Sequence, residues 1–327
     1  MKIFFLAIFF TAFNIITAYC AGAAELVLSN VQEINLEHID NIDIRYSSEN
    51  IILFKNSSDT LIIKEYFNRD NSGLHAKITA SANELIVSAG DRFRNLTGIN
   101  FKARIEIYIP DSNKNFSIVT SSGRIEGKDR HAAASFNIAS SSGSININSI
   151  TADNIGFITA SGGIRGETII GNAELRTSSG NIVFGSASGE VNAASSSGRI
   201  EINRISGSLT ANSSSGGMKF GITNGSINAT TSSGGINCTV IENTDGISIT
   251  TSSADVFIEL PQTISFNFFS RTTSGRLRTP FSDRLSVPLN DRNSVQGIIG
   301  ENTSGNQERV NININTTSGS INVTWRN

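Results

Sequence analysis

A short phrase returns ten times after residue 120, and it constrains the fold of this chain more than any other feature. Each copy has a Ser/Thr-rich stretch, a glycine that is once an alanine, one spacer and then an apolar side chain. From Gly180 to Gly234 the copies follow at steps of 18 residues, with a second glycine midway at Gly189, Gly207 and Gly225. A short fixed period with turn residues at each node is typical of a solenoid, whose units bury their apolar faces by stacking.

Between the glycines, apolar and polar side chains alternate, as in Arg199-Ile200-Glu201-Ile202. A period of two residues predicts β-strands. We therefore predict an all-β fold, a parallel β-helix-like solenoid with about 18 residues per coil. Aligning the copies by glycine predicts two buried columns. The first contains Ile125, Ile145, Ile164, Ile182, Ile200, Met218, Ile236, Val256, Leu277 and Ile321, and the second includes Ile147, Phe184, Ile202, Phe220, Cys238, Ile258 and Val323.

The phrase glycines are predicted to form the corners of the coils. Glycine tolerates a positive φ, and serine hydroxyls can bond the backbone of a tight turn. Ala254 replaces the glycine in one copy, which leaves the geometry of that corner open. The predicted structural turn glycines are Gly123, Gly143, Gly162, Gly180, Gly198, Gly216, Gly234, Gly275 and Gly319.

The pattern divides the chain into four segments. We predict a signal peptide over 1–23, an N-terminal region of antiparallel strands that caps the solenoid over 24–112, the regular Ser-Gly repeat solenoid over 113–260, and C-terminal strands over 261–327. In the segment 24–112 apolar and polar residues alternate strongly, but the Ser-Gly period is missing. An open solenoid end exposes unpaired strand edges and therefore needs a cap. An irregular loop is expected at 280–305.

The amino terminus has the features of a secretory signal peptide. Lys2 precedes an apolar run from Ile3 to Ala18, and small residues follow, so cleavage is expected between Ala23 and Ala24. The mature chain is therefore expected to be exported, to the periplasm, the cell surface or the medium. No second apolar stretch reaches the 18 or so residues of a membrane span, and we expect no transmembrane segment.

The two cysteines suggest no disulfide. Cys20 would be the site of lipidation in a lipoprotein, but Tyr19 stands where a small residue is expected before the cleavage point, which disfavours that alternative. If Cys20 is removed, Cys238 is alone in the mature chain. Its place in the second inward column predicts a small buried hydrophobe.

Composition excludes some partners and predicts others only broadly. The formal net charge is −2, and charged residues make up 17% of the chain. This balance disfavours an electrostatic nucleic-acid binder. The ligand-binding residues are unknown from sequence; surface glycans or proteins are the partners that we consider, with self-association as a further alternative.

No catalytic, metal-binding or cofactor-binding residues emerge from the sequence. The three histidines, His38, His75 and His131, lack the spacing of a zinc site. Glu201 and Lys219 are expected one coil apart as an ordinary ion pair. Threonine pairs such as those at 230–231 and 250–251 resemble an ice-binding ladder, but alanine and asparagine interrupt that ladder in earlier coils.

The repeats resemble a bacterial family of exported "putative adhesin" β-strand-repeat domains of otherwise unknown function. The resemblance rests on Ile107-Tyr108-Ile109-Pro110 before the repeats, the serial Thr/Ser-Ser-Gly-x-Ile units, and the segments 258–261, 272–277 and 314–323. It covers nearly the whole mature chain. It implies a β-solenoid at or beyond the cell envelope with an adhesin-like, non-enzymatic role, and it brings no catalytic residues.

The sequence therefore predicts an exported, non-catalytic β-solenoid that presents a polar face for binding. One alternative is a glycan-processing β-helix enzyme, with its site in the Lys128–His131 bulge or in the 280–305 loop. The other is a structural envelope protein that self-associates through strand edges. Fold analogy alone cannot choose among them.

Overall fold

The structure is a computed structural model that describes residues 25–69, 71–91, 101–286, 294–300 and 309–326. The described chain is almost entirely β-strand, with only two short 3-10 turns at Ser72–Leu74 and Ser282–Arg284. It divides into two compact units, Met1–Phe157 and Ile158–Asn327. The predicted signal peptide, with its cleavage point at Ala23 and Ala24, lies outside the described residues, as does part of the predicted loop.

The first unit is a β-solenoid with mixed pairing at its beginning. Its strands are β1 (Val27–Asn35), β2 (Asn41–Arg45), β3 (Asn50–Asn56), β4 (Thr60–Phe67), β5 (Lys77–Ala80), β6 (Glu84–Ser88), β7 (Ala103–Pro110), β8 (Asn115–Thr120), β9 (Ile125–Ser140) and β10 (Ile145–Thr159). Antiparallel pairing, which the sequence predicts for this region, joins β1 to β4, β4 to β7 and β5 to β6. These strands do not account for the whole region.

Strands β2 and β3 form an additional coil that the sequence analysis missed. β2 pairs in parallel with both β6 and β8, and β3 pairs in parallel with both β7 and β9. The corner between β2 and β3 contains Ser47 and Ser48 but has Glu49 where the phrase has glycine. The Glu49 carboxylate accepts hydrogen bonds from both serine N–H groups at 2.9 Å, so the side chain stabilises this corner.

The second unit is a solenoid of long parallel strands. Its strands are β11 (Ile164–Thr177), β12 (Ile182–Ser195), β13 (Ile200–Ser213), β14 (Met218–Thr231), β15 (Ile236–Val240), β16 (Gly246–Thr251), β17 (Val256–Pro261), β18 (Phe266–Thr272), β19 (Leu277–Arg278), β20 (Leu285–Ser286), β21 (Ser294–Ile299), β22 (Val310–Thr316) and β23 (Ile321–Arg326). Ile182 pairs with Ile200 and Ile200 with Met218. These partners are 18 residues apart, so the predicted coil length is confirmed.

The predicted buried columns form the core. The second column is buried throughout, and so is the first except for Leu277, which is half-buried. Leu277 lies on the two-residue strand β19, which is paired with β23. Burial of this apolar surface, at about 25 cal/mol per Å² removed from water, is the main force that holds the coils together.

The last two strands in the sequence, β22 and β23, do not lie at an edge of the sheet. β22 lies between β16 and β18, and β23 lies between β17 and β19, with parallel pairing on both sides of each. The chain therefore leaves one coil position open after β17 and fills it on its return. β21 then pairs antiparallel with the other edge of β18. This inserted coil could not be seen from the order of the phrases.

A serine or threonine hydroxyl holds each corner together, and it is buried at every one of these corners except that of half-buried Ser213. In all ten phrases the Ser or Thr three residues before the glycine, or before Ala254, accepts its N–H at 2.8 to 3.3 Å. Some of these hydroxyls also donate to a carbonyl of the neighbouring coil, as Thr177 does to Gly162 at 3.0 Å. The corner at Ala254 keeps this pattern, because its N–H bonds to Thr251.

The structure corrects the physical reason for the corner glycines. Among the described residues, positive φ is found at Gly171, Gly189, Gly207, Gly225 and Gly300, and at none of the predicted turn glycines. The first four are the midway glycines of β11 to β14. At the phrase glycines the constraint is space, because a Cβ there would overlap a corner carbonyl one coil away. This overlap is present at Gly123, Gly143, Gly180, Gly198, Gly216, Gly234, Gly275 and Gly319.

His131, expected in a solvated bulge, is buried in the core of the first unit. It is 1% exposed, and its ring stacks on Phe136 with centroids 6.0 Å apart. It packs beside Gly127, which occupies an inward position without a side chain. Neither ring nitrogen has a hydrogen-bond partner among the described residues. Burial therefore lowers the pKa of His131; nearby Asp129 and Asp111 oppose that shift, and Lys55 adds to it.

We expect Gly216→Ala to destabilise the protein and the neighbouring Gly217→Ala to be tolerated. A Cβ at Gly216 would overlap the backbone of Gly198, whereas one at Gly217 would meet its nearest atom at 3.4 Å. Overpacking of this kind costs about 1–3 kcal/mol. Urea unfolding followed by circular dichroism checks the pair. Equal midpoints for the two variants would show that the corner is not tightly stacked.

We expect the first unit to lose stability as the pH falls through the ordinary pKa of histidine, about 6.5. Because the pKa of His131 is lowered in the folded state, the unfolded chain takes up the proton more readily, so stability is full above that pH and declines below it. Urea midpoints measured from about pH 8 to about pH 5 test this, a range above the ordinary pKa values of carboxyl groups. His131→Leu should flatten the profile, while the exposed His38→Gln should retain it. An unchanged slope in His131→Leu would contradict the assignment.

Candidate functional site

The outward side chains of the second unit form two faces of different chemistry. The face before the midway glycines carries charged groups. Glu201 accepts from Lys219 on the next coil at 3.2 Å and also pairs with Arg199 at 3.3 Å. The predicted Glu201–Lys219 ion pair is therefore present. Because Arg199 and Lys219 are both exposed, the ion pairs with Glu201 each contribute at most about 1 kcal/mol to stability.

The face after the midway glycines carries an uncharged strip that crosses five neighbouring strands, β12, β13, β14, β16 and β22. Each strand contributes two outward positions, which align with those of the next strand. We call these positions the amide–hydroxyl strip. Its residues are Asn192, Ala194, Thr210, Asn212, Asn228, Thr230, Ser248, Thr250, Asn313 and Asn315.

The polar groups of the amide–hydroxyl strip are available to a ligand. All its side chains are exposed or half-exposed. Within the described part of the chain, none of its amides or hydroxyls hydrogen-bonds to another side chain. A neighbouring outward column differs, since Ser226 donates to Ser208 at 3.4 Å and Asn267 donates to Asn311 at 3.1 Å. The strip therefore presents free donors and acceptors without net charge.

Charged and aromatic residues mark the two ends of the strip. At one end, Glu174 and Arg176 on β11 form an ion pair. At the other, Phe269 and Arg271 on β18 align with Asn313 and Asn315. Phe269 is 39% exposed. Among the exposed large apolar side chains of the described residues, Phe269 is the aromatic one.

The threonines of the described residues do not form an ice-binding ladder, which the interrupted sequence pattern already disfavoured. In the pairs at 230–231 and 250–251, the first threonine faces outward and the second is buried. Thr231 and Thr251 are the corner hydroxyls that accept the N–H of Gly234 and Ala254. The outward columns mix threonine with asparagine, serine and alanine.

The two locations considered for an enzyme site have other structural roles. In the Lys128–His131 bulge, Lys128 pairs with Glu126 at 2.6 Å and His131 is buried. The described part of the 280–305 loop includes β21, which pairs antiparallel with β18. Over the ranges that the structure describes, no group of three or more His, Cys, Asp or Glu side chains is placed to hold a metal ion.

Cys238 is fully buried in the second column, as its sequence position predicts. Burial raises the pKa of its thiol to about 12, so the nucleophilic thiolate is disfavoured at neutral pH.

The side chains of a polar cluster on the first unit mostly bind one another, although the Arg104 Nε has no hydrogen-bond partner among the described residues. Tyr66 and Tyr108 donate hydrogen bonds to the Glu106 carboxylate at 3.0 and 3.3 Å, and Arg104 pairs with it at 3.2 Å. Lys64 covers one ring, 4.4 Å from the centroid of Tyr108. Burial, with the hydrogen bond to Glu106, raises the pKa of Tyr66. These groups bind one another, which makes the cluster a weaker candidate site than the strip.

Sequence reasoning missed the amide–hydroxyl strip because it searched for charged or catalytic groups. The signal was present in the residues that follow each midway glycine. There, alternate positions carry Asn192 and Ala194, then Thr210 and Asn212, in successive coils. An uncharged column becomes visible only when the coils are aligned by that second glycine.

Known structures with similarity to this chain are distant. A "putative adhesin" from Bacteroides fragilis NCTC 9343 is 11% identical, covering 92% of this chain and 98% of its own, with a TM-score of 0.35. A "putative adhesin" from Parabacteroides merdae ATCC 43184 is 12% identical, covering 70% and 95%, with a TM-score of 0.36. A "putative lipid binding protein" from Parabacteroides distasonis ATCC 8503 is 15% identical, covering 91% and 96%, with a TM-score of 0.31. These similarities are too low to bear on function.

Family membership rests on a stronger match. No functionally curated protein matches the sequence. Among the described residues, no helix has the length and apolar character to cross a membrane. The family model named Toastrack DUF4097 matches residues 39–222 and 213–324, which is most of the chain. The resemblance predicted from the repeats is confirmed, and this chain belongs to the Toastrack DUF4097 family.

Proposed function

We propose that this chain is an exported, non-catalytic β-solenoid protein of the cell envelope or surface, adhesin-like, which binds its partner through the amide–hydroxyl strip. The observation that carries the proposal is the strip itself. Five neighbouring strands present free, uncharged hydrogen-bonding groups in register. Repeat scaffolds commonly use such extended surfaces for binding.

The chemistry of the strip favours binding over catalysis. General acid–base catalysis needs a group that takes up or releases a proton near the working pH, and nucleophilic catalysis needs an activated nucleophile with a base beside it. The amides, hydroxyls and methyl groups of the strip supply neither. They can donate and accept hydrogen bonds, each with a net contribution of about 1 kcal/mol. Affinity would then come from many weak contacts along the surface.

The same chemistry disfavours polyanions as partners. Nucleic acids and anionic membranes are bound mainly by lysine and arginine clusters. The strip has neither residue, and the whole chain has a formal net charge of −2. An uncharged partner rich in hydroxyl or amide groups fits the strip better.

Protease accessibility on intact cells tests the location. If the protein is surface-exposed, added protease should remove it from intact cells, while a periplasmic marker remains protected. The purified mature chain should also bind intact cells, matrix proteins or glycans. A protein protected in the periplasm that binds none of these would contradict the adhesin-like function.

The enzyme alternative is tested by product analysis. We expect no unsaturated or shortened products when the purified chain is incubated with a panel of acidic polysaccharides. Product formation that is lost in Lys128→Ala would instead place a catalytic site in the bulge. Sedimentation across protein concentrations tests the structural alternative, because reversible growth of assemblies would favour self-association through strand edges.

A further inference from the structure

We infer that the amide–hydroxyl strip binds a neutral polysaccharide in an extended conformation, and that the polysaccharide runs across the coils towards Phe269. This inference rests on the proposed non-catalytic binding function and adds the class of ligand, its direction and the residues that contact it. It comes from the periodicity of the strip, its lack of charge and the exposed aromatic ring at one end.

The strip repeats at the spacing of neighbouring strands, about 4.8 Å. Every strand that it crosses presents one pair of outward positions, and the pairs are aligned from Asn192 to Asn313. An extended polysaccharide also repeats a similar group of hydroxyls at each sugar, on a comparable length scale. A polymer lying along the strip could therefore place one sugar on each coil and repeat the same contacts.

The donors and acceptors match uncharged hydroxyl groups. Asparagine amides both donate and accept, and threonine and serine hydroxyls do the same, so they pair with sugar hydroxyls in either orientation. An acidic polysaccharide would bring carboxylates or sulfates to a strip that has no cation between its ends to pair with them. A protein partner would be expected to need the buried aromatic and arginine anchors that dominate protein interfaces. The strip has none between its ends.

Phe269 completes the site at the end nearest β18. Its ring is 39% exposed and lies in the same column as Asn313. Burying an exposed aromatic ring against the apolar C–H face of a sugar removes apolar surface from water, which the amides and hydroxyls cannot do. The strip would then supply hydrogen bonds along the polymer, and Phe269 would supply one apolar contact.

Binding measurements with matched variants test the inference. The probes are soluble neutral glucan, mannan and xylan, with polygalacturonate as the acidic comparison, and the full mature chain is used. We expect at least one neutral polymer to bind, more tightly as its length increases to span the five strands. Asn228→Ala, Asn313→Ala and Phe269→Ala should each weaken that binding about 5- to 10-fold, the equivalent of one hydrogen bond or apolar contact.

Two variants serve as controls. Asn237→Ala removes an exposed asparagine from β15 on the other face, and Ile170→Ala removes an exposed apolar side chain of similar accessibility, 37%, from β11. Both should bind like the unmodified chain. Circular dichroism confirms that each variant is folded.

Several outcomes would overturn the inference. Failure of all three neutral polymers, preference for polygalacturonate, or equal weakening by Asn237→Ala would each contradict it. Binding of a protein partner that Asn228→Ala abolishes would refute the glycan assignment but retain the strip as the binding surface. If added protease did not remove the protein from intact cells, that result would count against the proposed function and would not bear on the class of ligand.

Discussion

The close stacking of successive corners is the constraint on which the rest of the structure depends. At most corners a side chain larger than hydrogen would overlap the carbonyl of the neighbouring coil. The glycine N–H donates a hydrogen bond to the hydroxyl three residues earlier, as Gly198 N does to Ser195 Oγ at 2.9 Å. A buried N–H without an acceptor costs about 1–3 kcal/mol, so at these corners the glycine supplies the space and the hydroxyl supplies the acceptor. This pairing explains why the phrase contains both.

Stacked corners set the register of every strand between them. Once Gly180, Gly198 and Gly216 stack, the positions that follow must alternate inward and outward in the same order in each coil. The inward positions are then committed to the core and the corner hydroxyls. Only the outward positions can vary without disturbing the stack. The charged face around Glu201 and the amide–hydroxyl strip are two different uses of that freedom on the same strands.

Much of the fold can be predicted from the sequence, because the 18-residue step and the alternation are local and repeated. The two buried columns follow directly from aligning the glycines. The reason for the corner glycines could not be obtained in this way, since the overlap at Gly216 involves Gly198, a neighbour one coil away. Positive φ occurs instead at the midway glycines such as Gly207. The coil at Glu49 was also missed, because a carboxylate there replaces the glycine that the alignment used.

The binding surface was harder to predict than the fold, because no single residue type marks it. Free amides and hydroxyls are common in this composition, and they become a candidate site only where the register aligns them and leaves them without partners. Asn315, for example, lies 65 positions after Thr250 in the sequence but beside it in the sheet. That neighbourhood exists because β22 inserts between β16 and β18.

The inserted C-terminal coil therefore supports both the stack and the candidate site. Without β22, the edges of β16 and β18 that it pairs would be open, and unpaired strand edges favour association with other chains. The same strand supplies Asn313, which lies between Ser248 and Phe269 in the outward column. The strip reaches its aromatic end only through this strand. The return of the chain into its own solenoid thus closes the hydrogen-bonded stack and joins the polar surface to Phe269 in one step.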